Sequence, residues 1–437
     1  MDKGFLVLTG IEEITDRILS YLPIVDLLGK RQVCTIWKQV VDKIVARREK
    51  KTFVHYNVIE TNSAQASKCE RSDGEFYSTF QNKYGRLVKR VKYECNNFAP
   101  EHRQMIDRFL KWRATWTNFP RIIFVVHRLN QVTDKECLQN FKHLNEVMVR
   151  YIPSSCTLVM LKGAMCCPGS ELNTCLRNET LLFSSVVESS VDVLAWQSMG
   201  TAKERSGLAE ALQTFLKKQT DLKAFIFYYR LTSQHVIARW IRSMVCPLLE
   251  TYALRHNNAV VMGCSLEGGI QHSQLCSNVF VKLAGSTFSG AKCSSAARNI
   301  QKSGAFLAIA ISGKSAFSSS VLLDHNCNSV SDLTYKLQQL KKSIPAHIQF
   351  KPNQNNAFAF MVSCVGRMHD FEWYNDYSGG DYGFIERKAF EKAIPNVPLI
   401  TTHGFGEVGG DFNLEPKPYS QVNLMHYHST IFALVVL

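Results

Sequence analysis

The chain has no run of apolar residues long enough to cross a bilayer. GAFLAIAISGKSAF is interrupted by Lys314, and the closing STIFALVVL is only strand-sized. Its first residues show no charged n-region, apolar stretch and small-residue cleavage site, so no signal peptide is expected. Cysteine is present, 14 among 437 residues, but without a pattern. Only Cys166, Cys167 and Cys175 lie close together and no paired two-residue spacing recurs, which argues against zinc and makes reduced, partly buried thiols the expectation. No internal repeat of solenoid period is present. Acidic residues are the scarcer charge, 37 against 51 basic, leaving a net +14 that calls for an acidic partner.

Catalytic motifs are equally scarce once context is required. GFGEVG at 404–409 matches GxGxxG literally, but Pro416 and Pro418 follow where a phosphate-capping helix is needed. SGKS at 312–315 has Ala308 in place of the first P-loop glycine, and the strand-like SSVLLD follows closely instead of a helix. Cys364 and His403 lack a third group to orient them as a nucleophile and base, so a buried core cysteine is expected. His426 and His428 would share one face of a strand, yet two histidines without further ligands do not make a metal site. The chain is therefore read as non-catalytic, with no cofactor and no metal.

The length supports two or three domains, and an apolar fraction of 46% gives sizeable cores. Near the start, Ile11, Ile14, Ile18, Leu19 and Leu22 recur at three- and four-residue spacing, predicting a helix that Pro23 ends. Asp26 is the expected N-cap of a second short helix carrying Leu27 and Leu28. Val33, Trp37, Val40, Val41 and Ile44 form the stripe of a third. Three such helices enclose a very small core, so several apolar residues are expected to stay exposed until a partner covers them.

Farther along, TNSAQASKCERSDGE (61–75) reads as a linker. Between Lys83 and Arg121, Lys and Arg interleave with Tyr, Phe and Trp. RNA, an acidic surface or simply solvent would suit that pattern; without an RNP, KH or helix-turn-helix signature it is read as a solvated helix face, and nucleic acid is not among the expected partners. Strands are predicted at 122–126, 157–161, 225–229 and 260–264, with helices at 135–148, 208–217 and 236–254. After a Ser-rich boundary near 293–303 come FLAIAI, SSVLLD, a helix over 331–342, AFAFMVSCVG and the terminal strand. The short β runs near Phe306 and Leu322 point to antiparallel pairing, hence α+β rather than a doubly wound fold.

Two resemblances sharpen this. LSYLPIVDLL followed by QVCTIWKQV resembles an F-box, with Thr9 and Gly10 standing where a Leu-Pro pair often opens the family. That family docks through its first helices on the Skp adaptor of cullin-RING ubiquitin ligases. The resemblance implies that Leu19, Leu22, Pro23, Leu27 and Leu28 meet the adaptor, while Val33, Cys34 and Trp37 pack the module and its adaptor-facing edge. FAFMVSCVGR, the helical FIERKAFEKAIPNVPLI and GFGEVGGD are similar to the C-terminal half of the FIST domain, an intracellular sensory module proposed to bind small ligands in its bacterial members. Thr401 and Thr402 depart from the glycine- and aromatic-rich approach of that family.

The expected architecture is an F-box at 1–55, a linker and basic helical segment at 56–118, and FIST halves at 119–292 and 293–437 with extended, largely antiparallel sheets. GFGEVGG reads as a loop whose glycines permit positive φ, and VSCVGR as a strand end that projects Arg367. Arg367 and Glu407 would then either meet at the rim of a pocket or close a structural bridge. The candidate pocket comprises Cys364, Gly366, Arg367, Gly404, Gly406, Glu407 and Gly409.

The resemblances imply a substrate receptor that works with a Skp adaptor and a cullin scaffold, in cytoplasm and nucleus. It would bind protein substrates through the FIST body for ubiquitination and proteasomal degradation, with a small ligand as a further candidate partner and no membrane. The alternative is an intracellular small-ligand sensor anchored by its F-box.

Overall fold

The computed structural model describes residues 12–49, 53–62, 76–81, 87–93, 116, 122–129, 157–164, 175–184, 189–196, 198–230, 234–255, 258–266, 306–327, 329–346, 356–364, 367, 384–413 and 423–437. The fold is α+β. An N-terminal group of helices, α1 (Glu12–Leu19), α2 (Ile24–Lys30) and α3 (Thr35–Glu49), precedes the sheets. Strands β1 (Phe53–Asn62), β2 (Phe76–Gln81), β3 (Leu87–Tyr93), β4 (Ile122–Leu129), β5 (Thr157–Ala164), β6 (Cys175–Ser184) and β7 (Ser189–Trp196) follow. Next come α4 (Ala202–Lys217), β8 (Leu222–Arg230), α5 (Gln234–Trp240), α6 (Cys246–Leu249) and β9 (Val260–Leu266). The C-terminal part contributes β10 (Phe306–Gly313), β11 (Phe317–Leu323), α7 (Val330–Lys342), β12 (Ala357–Cys364), α8 (Phe384–Ala393), β13 (Leu399–Gly409), β14 (Met425–His426) and β15 (Thr430–Val436).

Two principal sheets form. The smaller has the order β1-β6-β4-β5, and among the described strands β2 pairs with β3 alone. The larger runs β11-β15-β12-β13-β9-β8-β10-β7, with β14 added to β13. Only β4–β5, β8–β9 and β12–β13 pair in parallel among the described strands. β10 sits between β7 and β8, so the large sheet draws strands from both sides of the Ser-rich stretch near residue 300.

The large sheet curls back on itself. The Ser318 hydroxyl of β11 donates to the Lys223 carbonyl of β8, and Ser320 pairs with Phe412. β9, β10 and β12 are buried on both faces, which is why they read as continuous apolar runs rather than alternating ones. One core lies within the curl: Phe358, Phe360 and Val362 of β12 join Phe225, Phe227 and Tyr229 of β8. The other lies under α7 and α8, where Leu333, Leu337, Leu340 and Phe390 cover Ala357, Ala359 and Met361. Phe390 stacks on Phe432 with centroids 5.5 Å apart.

Local chemistry sets the helix ends. Thr201 accepts from the Glu204 N–H at 3.2 Å while Glu204 Oε2 accepts from the Thr201 N–H at 2.9 Å, closing a capping box on α4. The helix widens into π turns on either side of α6, at Ile241–Val245 before it and Glu250–Arg255 after it, around Pro247. Proline removes one helical donor and crowds the preceding turn, and the wider register accommodates it.

The structure corrects several sequence expectations. Leu87–Tyr93, within the segment read as a basic helix face, is a strand paired to β2. GFGEVGG is not a loop but runs through the end of β13, because Gly404 and Gly409 allow close strand packing and Gly406 forms a bulge at φ 70° within the strand. The helix expected over 384–400 ends at Ala393, and β13 begins at Leu399 after Pro395 and Pro398. The helix expected over 135–148, most of the polar stretch 61–75 and the Ser-rich 293–303 lie outside the described residues.

Candidate functional site

The N-terminal helices are held together from inside and outside. Thr15, Leu19, Ile24, Leu27, Val40, Val41 and Ile44 are buried. α3 is fastened to α1 by Arg47–Asp16 at 2.5 Å and by Lys43–Glu12. Arg48 Nη2 donates to the Ser20 carbonyl at 2.7 Å and the Leu22 carbonyl at 2.8 Å, satisfying acceptors left open where α1 ends. Pro23 rather than Asp26 is the N-cap of α2, and it makes no side-chain cap bond. Asp26 instead lies in the first turn, where its charge suits the helix dipole. The Ile24 N–H at the start of α2 is satisfied by the Trp116 carbonyl at 2.7 Å, and Trp116 is fully buried. A residue six positions ahead of β4 thus contacts the helices directly.

This packing separates the predicted adaptor residues. Leu19 and Leu27 are 1% and 0% exposed, so they belong to the interior. Leu22, Pro23, Leu28, Cys34 and Trp37 are half-buried, and Val33 is exposed. α1 adds Ile14 and Ile18, followed by Tyr21, at 40%, 50% and 82% exposed. Spaced by four and then three residues, these form a stripe separate from the buried Thr15 and Leu19. Sequence reasoning assigned Ile14 and Ile18 to the helix face and left them off the docking set, because periodicity alone does not tell which of two stripes turns inward.

The second candidate site gathers at strand ends in the body, and its two charged residues do not pair. Arg367 is fully buried and takes Glu386 of α8 as its carboxylate, Nε to Oε1 at 3.0 Å. Its other donors reach the Asp324 carbonyl at 2.8 Å, the Cys327 carbonyl at 2.7 Å and the His428 carbonyl at 3.3 Å. Glu386 also accepts from Thr430 Oγ1 at 2.8 Å and Ser363 Oγ at 3.4 Å. The bridge expected to involve Glu407 is therefore made by Glu386, a residue that sequence reasoning missed. Its signal was an acid one helical turn before the buried Phe390 in an amphipathic helix.

Glu407 is elsewhere. It is 0% exposed, accepts from Ser429 Oγ at 3.1 Å and lies near the Cys264 and Cys364 thiols and the Tyr229 phenol. Burial pushes its carboxyl up to about 8, against the pull of Ser429 and Cys364. Burial likewise pushes the Cys327 thiol up to about 11 and the Cys246 thiol up to about 12. Gly404 allows close packing: a Cβ there would stand 2.3 Å from the Ser265 carbonyl oxygen and 2.8 Å from Cys264 Sγ. Gly409 ends β13, and Gly366 lies outside the described residues.

Strand register also separates Cys364 from His403, in keeping with the core cysteine expected there. Ser363 pairs with His403 and Cys364 with Gly404 across parallel strands, so Cys364 and His403 leave the sheet on opposite faces. His426 belongs to β14 and contacts the Gly409 carbonyl oxygen at 3.0 Å, whereas His428 stands beyond that strand at φ 53°; they do not share a strand face. SGKS forms the turn between β10 and β11. Among the described residues no three His, Cys, Asp or Glu side chains are grouped to hold a metal ion, and no helix is long and apolar enough to cross a membrane.

No family model matches the chain. Human F-box only protein 22 is 32% identical over 135 residues, which is 29% of this chain and 30% of that protein. The Pongo abelii protein of the same name is 22% identical over 99% of this chain and 94% of its own length. The chain resembles F-box only protein 22 over nearly its full length. F-box only protein 22 thus agrees with the F-box likeness carried by LSYLPIVDLL and QVCTIWKQV. Among solved structures, cyanuric acid hydrolase from A. caulinodans covers 88% of this chain and 99% of its own at a TM-score of 0.37 and 10% identity, too weak a likeness to inform fold or activity.

Proposed function

We propose that the chain is the substrate-recognition subunit of a Skp, cullin and F-box ubiquitin ligase, joined to the Skp adaptor through its N-terminal helices and presenting target proteins on its FIST-like body. The observation that carries this reading is the exposed apolar stripe of Ile14, Ile18 and Tyr21 on a small helical unit that also leaves Val33 exposed and Leu22, Pro23 and Leu28 half-buried. Large apolar side chains clustered on so small a unit are the anchors a protein interface uses. The likeness to F-box only protein 22 supports the same reading.

The chain itself performs no bond chemistry in this scheme. It holds a target beside a recruited ubiquitin-conjugating enzyme and raises the effective concentration of one for the other. Leu19 and Leu27 serve by shaping the helices, and the exposed stripe makes the contact. The buried Arg367 and Glu407 act within the body rather than at its surface.

The test is adaptor capture by full-length Ile18→Lys with Tyr21→Lys. Charging two exposed anchors is expected to abolish recovery of the Skp adaptor while the melting temperature of the body stays unchanged. Full adaptor recovery with a folded variant overturns the reading.

A further inference from the structure

Glu407 owes its position to a break in strand register. Phe405 pairs with Ser265 and Glu407 with the next residue back, Cys264, so Gly406 is left over as a bulge at φ 70°. A bulge re-aims the residue beside it, and glycine adopts that φ without steric cost. The carboxyl is completely buried; Oε2 accepts from Ser429, and Oε1 makes no hydrogen bond.

Among the described residues, the groups around it supply no positive charge. The Tyr229 phenol faces it from β8, the Cys264 thiol from β9, the Cys364 thiol from β12 and the Ser429 hydroxyl from the turn into β15. Beyond them, Tyr427 and Cys246 face Tyr229. His426 pairs with Glu407 across β13 and β14, but its ring contacts the Gly409 carbonyl oxygen and its neighbouring charges are Asp324 and Asp411. Burial lowers the pKa of His426, keeping the ring neutral near neutral pH. Arg367 is committed to Glu386. An ionised Glu407 would thus be a buried anion with no counterion among the described residues.

We propose that Glu407 is carried as an uncharged carboxylic acid and acts as a proton-dependent latch on the corner where β13, β14 and the turn into β15 meet, and that its ionisation loosens this corner. Burial outweighs the Ser429 and Cys364 donors and holds the carboxyl up to about 8. In the unfolded chain the same group ionises near the ordinary glutamate value, about 4.5. Below that pH both states are protonated and the site costs nothing. Between there and about 8 the folded chain binds more protons, so stability falls as pH rises; above about 8 both states are ionised and the loss is complete. The corner reaches the surface at Tyr427, 56% exposed, whose ring lies 3.8 Å from the Cβ position of Gly406.

The experiment uses the full chain and Glu407→Gln, which keeps an acceptor for Ser429 and cannot ionise. Amide hydrogen exchange at Gly406–Gly409 and Met425–Thr430, corrected for intrinsic base catalysis, is followed from about pH 6 to about pH 9. The wild type is expected to show about a tenfold or greater gain in local opening over that range, with Glu407→Gln flat. The same gain in both proteins overturns the proposal. Infrared spectra of the wild type provide a reading independent of the variant's folding. A protonated carboxyl band should be present at about pH 6, where exposed carboxylates are ionised, and vanish by about pH 9; its absence at the lower pH overturns the proposal.

Discussion

Arg367 shows how little a charged residue's type says about its use. Its guanidinium has five donors in a fixed fork, and full burial is tolerated because Glu386 and three carbonyl oxygens accept four of them. Arg367→Met should leave the Glu386 carboxylate buried and unpaired, at a cost of about 3–5 kcal/mol in urea unfolding. Adding Glu386→Gln should return a large part of that loss, since no isolated charge then remains. Additive losses in the double variant would show that Arg367 stabilises through the three carbonyls alone. Cys364→Ala makes a useful contrast. This thiol is buried beside Glu407 while His403 leaves the sheet on the opposite face, so the change should lower the melting temperature modestly and leave ubiquitin transfer to a bound target intact. A folded Cys364→Ala protein that binds adaptor and target yet transfers no ubiquitin would point to thiol chemistry.

At the scale of the element, β13 joins the two cores, and its glycines do different work. Gly406 supplies a positive φ, so Gly406→Ala should cost about 1–2 kcal/mol from backbone strain alone. Gly404 supplies space against the Ser265 carbonyl oxygen, a backbone atom that cannot rotate away, and Gly404→Ala should cost more than Gly406→Ala. Gly29, in α2, has nothing within 4 Å of its Cβ position; Gly29→Ala should raise the stability of the N-terminal helices by about 0.5–1 kcal/mol through helix propensity. Thermal melts of the three variants give the order directly. Equal effects at Gly404 and Gly406 would mean that the sheet shifts to absorb the added methyl group. The sequence motif GFGEVGG marked glycine-dependent geometry correctly but not its form, because close strand approach and a loop place the same demand on residue type.

Across the whole molecule, the notable contact is Trp116 on the start of α2, far along the chain from the helices it touches. Trp116→Ala removes one of the largest fully buried side chains, for which about 3–5 kcal/mol is the usual scale of loss. The effect should be local. Exchange of the Ile24 amide should accelerate while the amides of β8 and β9 in the large sheet stay protected, a pattern that native-state hydrogen exchange resolves. Uniform acceleration would show instead that the helices and sheets unfold as one unit.

Periodicity and chain length alone determined much of this protein. The three N-terminal helices, strands β4, β5, β8, β9, β10, β12 and β15, and helices α4 and α7 were legible because a buried face imposes its period on the sequence wherever it lies. The charge excess in 83–94 was legible as composition but not as a strand, since β3 reads LVKRVKY without strict alternation and among the described strands pairs with β2 alone. Which carboxylate meets Arg367, which stripe of α1 faces outward and which face carries Cys364 were decided by tertiary structure. Each depends on strand register or helix rotation, and a shift of one residue reverses a strand side chain's face without changing the local pattern of residue types.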